Sequence, residues 1–508
     1  MKHKHLDVLI IGAGLSGVGA ACHLSRKCPD LRYGILERRK RVGGTWDLFR
    51  YPGIRSDSDM FTLGYNFRPW TDTKMLADGP SIRNYIEETA EHHQVHKKIH
   101  FGLKVTAEDW SSEFNRWTVT ALNEETGEEE VFTAGFVLNC TGYYNYDAGY
   151  TPKIPGINRF GGEVIHPQHW PDNYDYTGKR VVVIGSGATA VTLVPAMTDR
   201  AAHVTMLQRS PTYVASVPEQ DLISKNLRRV LPEMLVYRLA RTRNILLQRT
   251  VFNLSIRKPK AIRRLLLAAA RKQLGPDIDM KHFQPHYNPW EERMCAVPKG
   301  DLFKVLREGK ASVVTDHIKN VTKTGIKLES GDWIPADIIV TATGLDLQML
   351  GGAELRVDGT HVNLSNTMMY KGLMLEKVPN MALVFGYTNA SWTLKADIAS
   401  EFVCRLLKHM RKTGAEKVTP IDEEGCGSDV TFLNLRSGYI QRADDRLPRQ
   451  GNKDPWQNLN DYLHDLPALR YGKMNDGHLK FETTNLHKTK RNLVQKLLSN
   501  TLNIEAQR

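Results

Sequence analysis

Cysteine is scarce in this chain of 508 residues. None of the six cysteines stands in a Cys-x-x-Cys pair, which argues against a zinc knuckle and against a disulfide of the thioredoxin type. No metal site is therefore predicted. Cysteines scattered through a long chain are typical of a reducing compartment, so we expect a cytoplasmic protein. They are Cys22, Cys28, Cys140, Cys295, Cys404 and Cys426.

Long hydrophobic runs are missing too. No apolar stretch approaches the roughly 18 residues that a membrane-spanning helix needs, and the first residues lead straight into a strand pattern without the sections of a signal peptide. Hydrophobic residues still make up 41% of the chain and charged residues 25%, which is enough for a large core. These features predict a folded protein that is either soluble or peripheral to a membrane.

Acidic residues are almost absent from residues 221–275. This segment holds 14 lysines and arginines but only Asp221 and Glu233 as acids, in a chain whose net charge is +13. Apolar residues recur in it at helical spacing, so a helical insertion with a basic outer face is predicted. Two interpretations stay open. The segment could form a surface that touches the inner face of an anionic membrane, or it could be a lid of the substrate domain whose cations only contact solvent. The stretch 485–508 has the pattern of a short basic helix and tail.

Nucleic acid is not an expected partner of this basic segment. Its cations are clustered, but they are not interleaved with aromatic residues and form no known nucleic-acid-binding motif.

The first glycine motif opens the chain. Residues 7–17, DVLIIGAGLSG, place an apolar strand before a glycine cluster that leads into a helix. Gly12 permits the tight turn, Gly14 lets a pyrophosphate approach the backbone, and Gly17 lets the helix pack against the strand. Glu37 ends the next strand and can accept hydrogen bonds from ribose hydroxyls, which disfavours a 2′-phosphate there. This motif predicts a site for FAD or NAD, and Ser16 is included in it.

A second glycine motif follows at residues 180–190, RVVVIGSGATA. The strand after it ends in Gln208, Arg209 and Ser210, with no carboxylate where Glu37 stands in the first motif. An arginine and a serine there suit a 2′-phosphate, so this site is predicted to hold NADP. The predicted NADP residues from the motif are Gly185, Ser186, Gly187, Ala188, Thr189 and Ala190.

Two strands ending in Thr-Gly, FVLNCTG at 136–142 and IIVTATG at 338–344, bracket the second motif. We expect them to mark crossings between domains, so the fold class is α/β with two Rossmann-like domains. The FAD domain is discontinuous, covering 1–152 and 336–508 with the C-terminal tail. The NADP domain, 153–335, is inserted into it and carries a helical subdomain at 218–290.

Two longer motifs carry a family resemblance. Residues 43–57, GGTWDLFRYPGIRSD, and residues 160–172, FGGEVIHPQHWPD, resemble the two fingerprints of the flavoprotein Baeyer–Villiger monooxygenases of the flavin-containing monooxygenase superfamily. The resemblance spans nearly the whole chain and is closest to the branch of the ethionamide-activating monooxygenase. It implies that NADPH reduces FAD and that O₂ then gives a C4a-peroxyflavin. This species converts ketones to esters or lactones, or oxygenates thioether sulfur.

Other functions of the same fold stay open. A heteroatom monooxygenase acting only on nitrogen or sulfur, or an NADPH oxidase that transfers no oxygen to a substrate, would carry the same glycine motifs. The two fingerprints favour oxygen transfer to a small hydrophobic ketone or thioether.

The resemblance also assigns roles to single residues. Arg293 matches the family's catalytic arginine, and Asp57 matches its acidic partner, which also reaches the flavin. A permanent cation suits a peroxide anion and a negative adduct. Many members place a lysine before this arginine, whereas this chain has Glu292, which weakens the preference for NADPH. Further assignments are Gly44, Thr45, Trp46, Asp47 and Val105 to FAD, Arg55 and Ser56 to NADP, His166 and Trp170 to coupling between domains, and Trp392 to the substrate pocket.

Overall fold

The computed structural model describes residues 4–292, 294–433 and 437–483. Two sequence predictions lie outside these ranges: the basic helix and tail at 485–508, and the position of Arg293. The described chain forms two large parallel or mixed sheets flanked by helices.

The strands, in chain order, are β1 (Lys4–Ile11), β2 (Tyr33–Glu37), β3 (Ile99–Phe101), β4 (Leu103–Ser111), β5 (Arg116–Asn123), β6 (Glu129–Asn139), β7 (Glu163–Ile165), β8 (Arg180–Ile184), β9 (His203–Gln208), β10 (Val214–Val217), β11 (Cys295–Pro298), β12 (Ala311–Thr315), β13 (Ile318–Thr322), β14 (Gly325–Leu328), β15 (Trp333–Pro335), β16 (Ile338–Thr341), β17 (Glu354–Val357), β18 (Thr360–His361), β19 (Met369–Tyr370), β20 (Met374–Leu375), β21 (Met381–Leu383), β22 (Lys417–Pro420), β23 (Gly427–Thr431), β24 (Arg449–Gly451) and β25 (Leu479–Glu482).

The α-helices, in chain order, are α1 (Leu15–Lys27), α2 (Thr45–Leu48), α3 (Met60–Leu63), α4 (Gly79–His92), α5 (Ala188–Met197), α6 (Leu222–Leu227), α7 (Glu233–Arg257), α8 (Pro259–Leu274), α9 (Asp301–Arg307), α10 (Trp392–Thr413), α11 (Gly438–Gln441) and α12 (Tyr462–Arg470).

The first sheet has the order β18-β17-β4-β5-β6-β1-β2-β3, with β21 also paired to β6. β1 pairs in parallel with both β2 and β6. Every residue of β2 is buried, as expected for a parallel strand covered on both faces. This sheet combines strands from the first 139 residues with strands after residue 353, so the first domain is discontinuous as predicted.

The second sheet has the order β12-β9-β8-β16-β7 and is parallel throughout. Its strands come from residues 163–341, between the two parts of the first sheet. Both Thr-Gly segments follow sheet strands, since β6 belongs to the first sheet and β16 to the second. Because β16 begins at residue 338, the second sheet extends past residue 335, where the sequence placed the end of this domain.

The helical insertion consists of α6, α7 and α8. α7 packs against α3, with Tyr237 and Ala240 in the core of the first domain. α8 packs against α9, with Ala270 and Leu274 in the core of the second. The insertion therefore bridges the two domains.

Two general features bear on the sequence expectations. All six cysteines are buried and none is in a disulfide. In the described part of the chain, no helix is both long enough and apolar enough to cross a bilayer.

One carboxyl group on a strand of the first sheet, that of Glu108 on β4, is fully buried. Both carboxyl oxygens of Glu108 accept from Asn139 Nδ2 at 2.9 Å, and the side chain is 0% exposed. Burial raises the pKa of Glu108 to about 7, against the opposing effect of the Asn139 hydrogen bond. Asn139 Oδ1 has no hydrogen-bond partner among the described residues.

Glu108→Gln is expected to stabilise the protein much more at pH 8 than at pH 5. In the folded state the carboxyl titrates at about 7, above its unfolded value of about 4.3, so native stability falls as the pH rises through this window. The amide of the variant removes that loss of stability, which is roughly 3 kcal/mol at pH 8. The amide can also donate to Asn139 Oδ1. Urea unfolding at both pH values measures the difference, with the exposed Glu129→Gln as control. An equal gain at both values would contradict the ionisation argument.

Candidate nucleotide-binding cavity

A cavity of about 690 Å³ joins the two glycine motifs. Residues from the start of the chain, the helical insertion and the start of α10 all line it. The predicted site residues in its lining are Gly12, Gly14, Ser16, Glu37, Gly44, Thr45, Trp46, Arg55, Ser56, Asp57, Val105, Ala188, Thr189 and Trp392. Those outside the lining are Gly17, Asp47, His166, Trp170, Gly185, Ser186, Gly187, Ala190, Arg209 and Ser210.

The turn between β1 and α1 depends on glycine. Gly12 has a φ of +99°, a conformation that favours glycine. A Cβ atom on Gly17 would lie 1.8 Å from the Gly12 carbonyl oxygen, so this helix can approach the strand only with a hydrogen at that position. The roles predicted for these two glycines agree with this geometry.

The N-terminus of α1 offers unpaired N–H groups to the cavity. Its N-cap is Gly14, and no side chain caps the helix. A Cβ on Gly14 would lie 3.4 Å from the Gly44 Cα, so the two glycine backbones form the walls of a narrow cradle. Uncapped amides at a helix N-terminus favour an anion, so this cradle fits a pyrophosphate.

Glu37 lies at the end of β2 and is buried. Its Oε2 accepts from the Ala13 N–H at 2.6 Å, and its Oε1 accepts from the Arg39 N–H at 2.7 Å. Burial raises the pKa of Glu37, while these backbone hydrogen bonds lower it. The carboxylate is thus fixed at the cavity wall where a ribose hydroxyl could donate to it.

The residues that follow Gly43 and Gly44 do not all line the cavity. Thr45 and Trp46 line the cavity, but the buried Asp47 does not. Asp47 instead pairs with Arg39 at 2.7 Å and lies near Arg41 at 3.1 Å. In this structure Asp47 therefore fixes a basic loop beside the cavity and does not face the space predicted for the flavin.

The second glycine motif repeats the first with one difference. Gly185 has a φ of +139°, and a Cβ on it would lie 2.3 Å from the Ala342 carbonyl oxygen. Gly187 is the N-cap of α5, which also lacks a side-chain cap. A Cβ on Gly187 would meet no atom within 4 Å, so the space beside it is open. This opening and the free amides fit a second dinucleotide.

Arg209 and Ser210 follow β9 and are exposed. The Ser210 carbonyl oxygen accepts from Ser186 Oγ at 2.9 Å, which ties the two predicted NADP segments together. The pKa of the half-buried Glu292 is raised by burial and lowered by the charge of Arg209. Glu292, the acid that departs from the family pattern, thus interacts with Arg209, the residue predicted to bind the 2′-phosphate.

The loop at 55–59 links the domains. Arg55 donates to Asp301 Oδ2 at 2.5 Å, across from the first domain to the start of α9. Asp57 is exposed and lines the cavity. Asp59, which no sequence pattern indicates, is buried and accepts from Asn244 at 2.8 Å and from Gln248 at 2.7 Å.

Trp392 connects distant parts of the first domain. It begins α10, and its Nε1 donates to Ser16 Oγ at 2.7 Å. Its ring packs against Tyr143, which follows β6. The residue predicted for the substrate pocket thus holds the first glycine motif to the second part of the domain.

His166 and Trp170 lie away from the cavity lining. His166 Nδ1 accepts from the Gln168 N–H at 3.2 Å, so the proton belongs on Nε2, which lies 3.2 Å from the Gly344 carbonyl oxygen. Burial lowers the pKa of His166. The hydrogen bond of this ring to the end of the Thr-Gly segment is compatible with the predicted coupling role.

Further residues line the cavity that the sequence did not indicate. Tyr146 lies next to Gly44, and Trp290, with a φ of +71°, packs edge-on against Phe252 of α7. Asn244 and Gln248 enter the lining from α7. Only the position of Trp290 three residues before Arg293 could have signalled its place.

A family model for flavin-binding monooxygenase-like proteins matches residues 4–422. The chain is 57% identical over 484 residues to the FAD-containing monooxygenase MymA of Mycobacterium tuberculosis, covering 94% of this chain and 98% of the relative. It is 52% identical over 483 residues to the FAD-containing monooxygenase EthA of the same organism, with the same coverage. The FAD-binding monooxygenase AlmA of Acinetobacter baylyi is 51% identical over 481 residues, covering 94% and 96%.

Solved structures share the fold at lower identity. OTEMO in complex with FAD and NADP is similar with a TM-score of 0.74 and 21% identity, covering 95% of this chain and 100% of that one. Cyclohexanone monooxygenase has a TM-score of 0.73 and 22% identity, covering 94% and 100%. The predicted α/β fold with two Rossmann-like domains is confirmed.

Gly187→Ala is expected to raise the KM for NADPH on the order of tenfold, equivalent to about 1.4 kcal/mol. The added methyl meets no protein atom within 4 Å, so a loss reports the approach of the nucleotide and not a packing defect. Steady-state kinetics, FAD content and the melting temperature measure the effect.

Gly427→Ala on β23 is the matched control, because its Cβ would also meet only one distant side-chain atom, at 3.8 Å. An unchanged KM in Gly187→Ala would remove this turn from the NADPH site.

Proposed function

Because the chain belongs to the flavin-binding monooxygenase-like family, we propose that it is a Baeyer–Villiger monooxygenase that uses FAD, NADPH and O₂. This membership confirms the flavin-dependent monooxygenase predicted from the fingerprints. The proposed substrates are small hydrophobic ketones, which become esters or lactones, and thioethers, which become sulfoxides. The observation that carries the proposal is the cavity in which residues of both glycine motifs meet Asp57 and Trp392.

FAD would lie along the first glycine motif. The cradle of Gly14 and Gly44 with the start of α1 would hold its pyrophosphate, and Glu37 its ribose. Val105, buried in β4, lines the cavity with Glu37 and would contact the adenine. Thr45, Trp46 and Asp57 would border the flavin end. When bound, FAD supplies hydride acceptance and the activation of O₂.

NADPH would lie along the second motif. The start of α5 would hold its pyrophosphate, and Arg209 with Ser210 its 2′-phosphate. Arg55 and Ser56 line the cavity between the two motifs and would contact this nucleotide from the first domain. The ion pair of Arg55 with Asp301 orients that guanidinium.

Arg293 and Asp57 are the proposed catalytic residues. Oxygen transfer to a ketone passes through negatively charged species, and an arginine stays protonated at any relevant pH. The assignment of Arg293 rests on the family resemblance of the Pro289–Arg293 segment. Asp57 is exposed and lines the cavity, where its carboxylate could orient a guanidinium.

We also propose a cytoplasmic location with peripheral contact at the inner face of the membrane. Six buried cysteines without a disulfide support a reducing compartment. The basic segment 221–275 supports contact with an anionic surface.

A product screen tests the function. The purified protein, reconstituted with FAD, is given NADPH and a panel of aliphatic ketones, aryl ketones and thioethers. Ester, lactone or sulfoxide that appears in step with NADPH consumption supports the proposal. Sulfoxide or N-oxide without any ester favours the heteroatom monooxygenase, and NADPH consumption that yields only hydrogen peroxide favours the oxidase.

Arg209→Ala is expected to lower the preference for NADPH over NADH on the order of tenfold, because a charge-assisted contact to the 2′-phosphate is lost. Glu292→Gln should change the preference in the opposite direction, since it removes the acid that competes for Arg209. The ratio of kcat/KM for the two cofactors measures both effects. Equal ratios in the wild type and Arg209→Ala would refute the assignment.

Arg293→Ala is expected to keep FAD and its reduction by NADPH while product formation falls by about 10²–10³. Asp57→Ala should behave alike, and the double variant should lose little more, because the two would act as a unit. Stopped-flow reduction and product yield separate the two half-reactions. Near-normal ester or sulfoxide formation by Arg293→Ala would remove this residue from the mechanism.

A further inference from the structure

Exposed apolar side chains are concentrated on the helical insertion. Of the seventeen large hydrophobic residues that are exposed in the described chain, eleven fall between residues 222 and 265. They include Leu235, Leu239, Leu246, Leu254 and Ile256, all on α7. Such a concentration on one surface marks a contact site, because isolated exposed apolar residues would be spread over the molecule.

α7 has an inner and an outer face. On the inner face, Arg241 is buried and donates to three backbone carbonyl oxygens of residues 61–64, the nearest at 2.6 Å. Asn244 and Gln248 continue this face by their hydrogen bonds to Asp59. The exposed leucines therefore lie on the opposite side of a helix of 25 residues, about 37 Å long.

The cations of segment 221–275 divide into two groups, so the segment is not uniformly a free basic surface. Five of the fourteen are held by contacts within the chain: Arg241 is buried, Arg228, Arg243 and Arg249 pair with acids, and Arg263 donates to backbone carbonyl groups. The other nine are exposed and make no ion pair with an acidic side chain in the described part of the chain.

Among these nine, Arg257, Lys258 and Lys260 cluster at the junction of α7 and α8, beside the exposed Ile256. The outer surface of the insertion is therefore both apolar and strongly basic.

Residues of the insertion also line the cavity. Leu247 and Val251 on α7 line the cavity and are at the same time 59% and 38% exposed. Pro218, just before α6, also lines the cavity and is exposed. Exposed apolar side chains of α7 therefore extend from its outer face to the wall of the cavity.

A lipid surface is the partner that matches this chemistry. A bilayer with anionic headgroups offers negative charge at its surface and apolar chains just beneath it. A second copy of this chain, paired symmetrically through the same surface, would bring two sets of unpaired cations together, which is unfavourable. Nucleic acid would leave the exposed leucines without a partner.

We propose that α6, α7 and the start of α8 dock on the surface of an anionic bilayer, and that apolar substrates enter the cavity from the bilayer past Leu247 and Val251. The route of the substrate rests on the proposed monooxygenase function. The docking extends the membrane contact proposed above and is independent of the monooxygenase activity, because it depends only on the surface.

Cosedimentation of the FAD-loaded protein with vesicles tests the docking. Vesicles of phosphatidylcholine with about 30 mol% phosphatidylglycerol are expected to carry the protein into the pellet at low ionic strength. Salt screens the attraction between surface charges and the anionic lipids. The affinity for these vesicles should therefore fall on the order of tenfold at about 0.5 M salt. Pure phosphatidylcholine vesicles should leave the protein in the supernatant.

Two sets of variants locate the surface. Arg257→Gln/Lys258→Gln/Lys260→Gln should reduce binding to anionic vesicles on the order of tenfold, and Leu246→Ser/Leu254→Ser should reduce it as well. Lys319→Gln/Lys323→Gln/Lys327→Gln is the matched control, because it removes the same charge from exposed lysines on or between β13 and β14. Flavin content and melting temperature show that each variant is folded.

Three results would overturn the docking proposal. They are a protein that stays in the supernatant at low salt, equal binding to neutral vesicles, and a cluster variant that binds as well as the lysine control. Self-association abolished by Leu246→Ser/Leu254→Ser, with vesicle binding unchanged, would assign the surface to contacts between copies instead.

The substrate route is tested separately with two ketones, one soluble in water and one partitioned into anionic vesicles. The cluster variant should match the wild type on the soluble ketone but lose several-fold in rate on the partitioned one. Equal loss on both would contradict entry from the bilayer. Absence of product from every ketone in the wild type would instead reject the proposed function, while vesicle binding would still report the docking.

Discussion

A backbone contact without room for a side chain fixes the geometry of the first nucleotide site. With Gly12 in a left-handed conformation and Gly17 against its carbonyl oxygen, α1 begins directly above the end of β1. This placement brings Gly14 against Gly44 and directs the uncapped end of α1 into the cavity. The proposed binding of a pyrophosphate at the start of α1 depends on that close approach.

The two parts of the first domain are joined by polar contacts at the same place. Trp392 donates to Ser16, so the helix that opens the last part of the domain is fixed to the helix that opens the chain. Asp397, one turn further along α10, is buried and accepts from Arg241 and from the Asn66 N–H. Segments around residues 16, 241 and 392 that are far apart in sequence therefore meet at the first turns of α10.

Local sequence rules were enough to predict the units that bind nucleotides. Strand, glycine turn and helix are neighbours in sequence, and Glu37 ends a fully buried strand. The direction of Asp47 and the role of Asp59 could not be predicted. Asp47 pairs with an arginine of a neighbouring loop, and Asp59 accepts hydrogen bonds from side-chain amides on α7. The hydrophobic periodicity of a sequence does not indicate which distant side chains will meet. For the same reason, the composition of residues 221–275 shows fourteen cations but not that Arg241 is buried.

The junction of α7 and α8 has a mechanical consequence. α7 is fixed to the first domain by Arg241, and α8 is fixed to the second through Leu274. Lys258, with non-helical backbone angles, is the only residue between the two helices. A rotation of one nucleotide domain against the other must therefore change the angle at this residue. A flat surface that holds both helices at once would resist that change, so what the outside of the insertion touches would set how far the two cofactor sites can move apart.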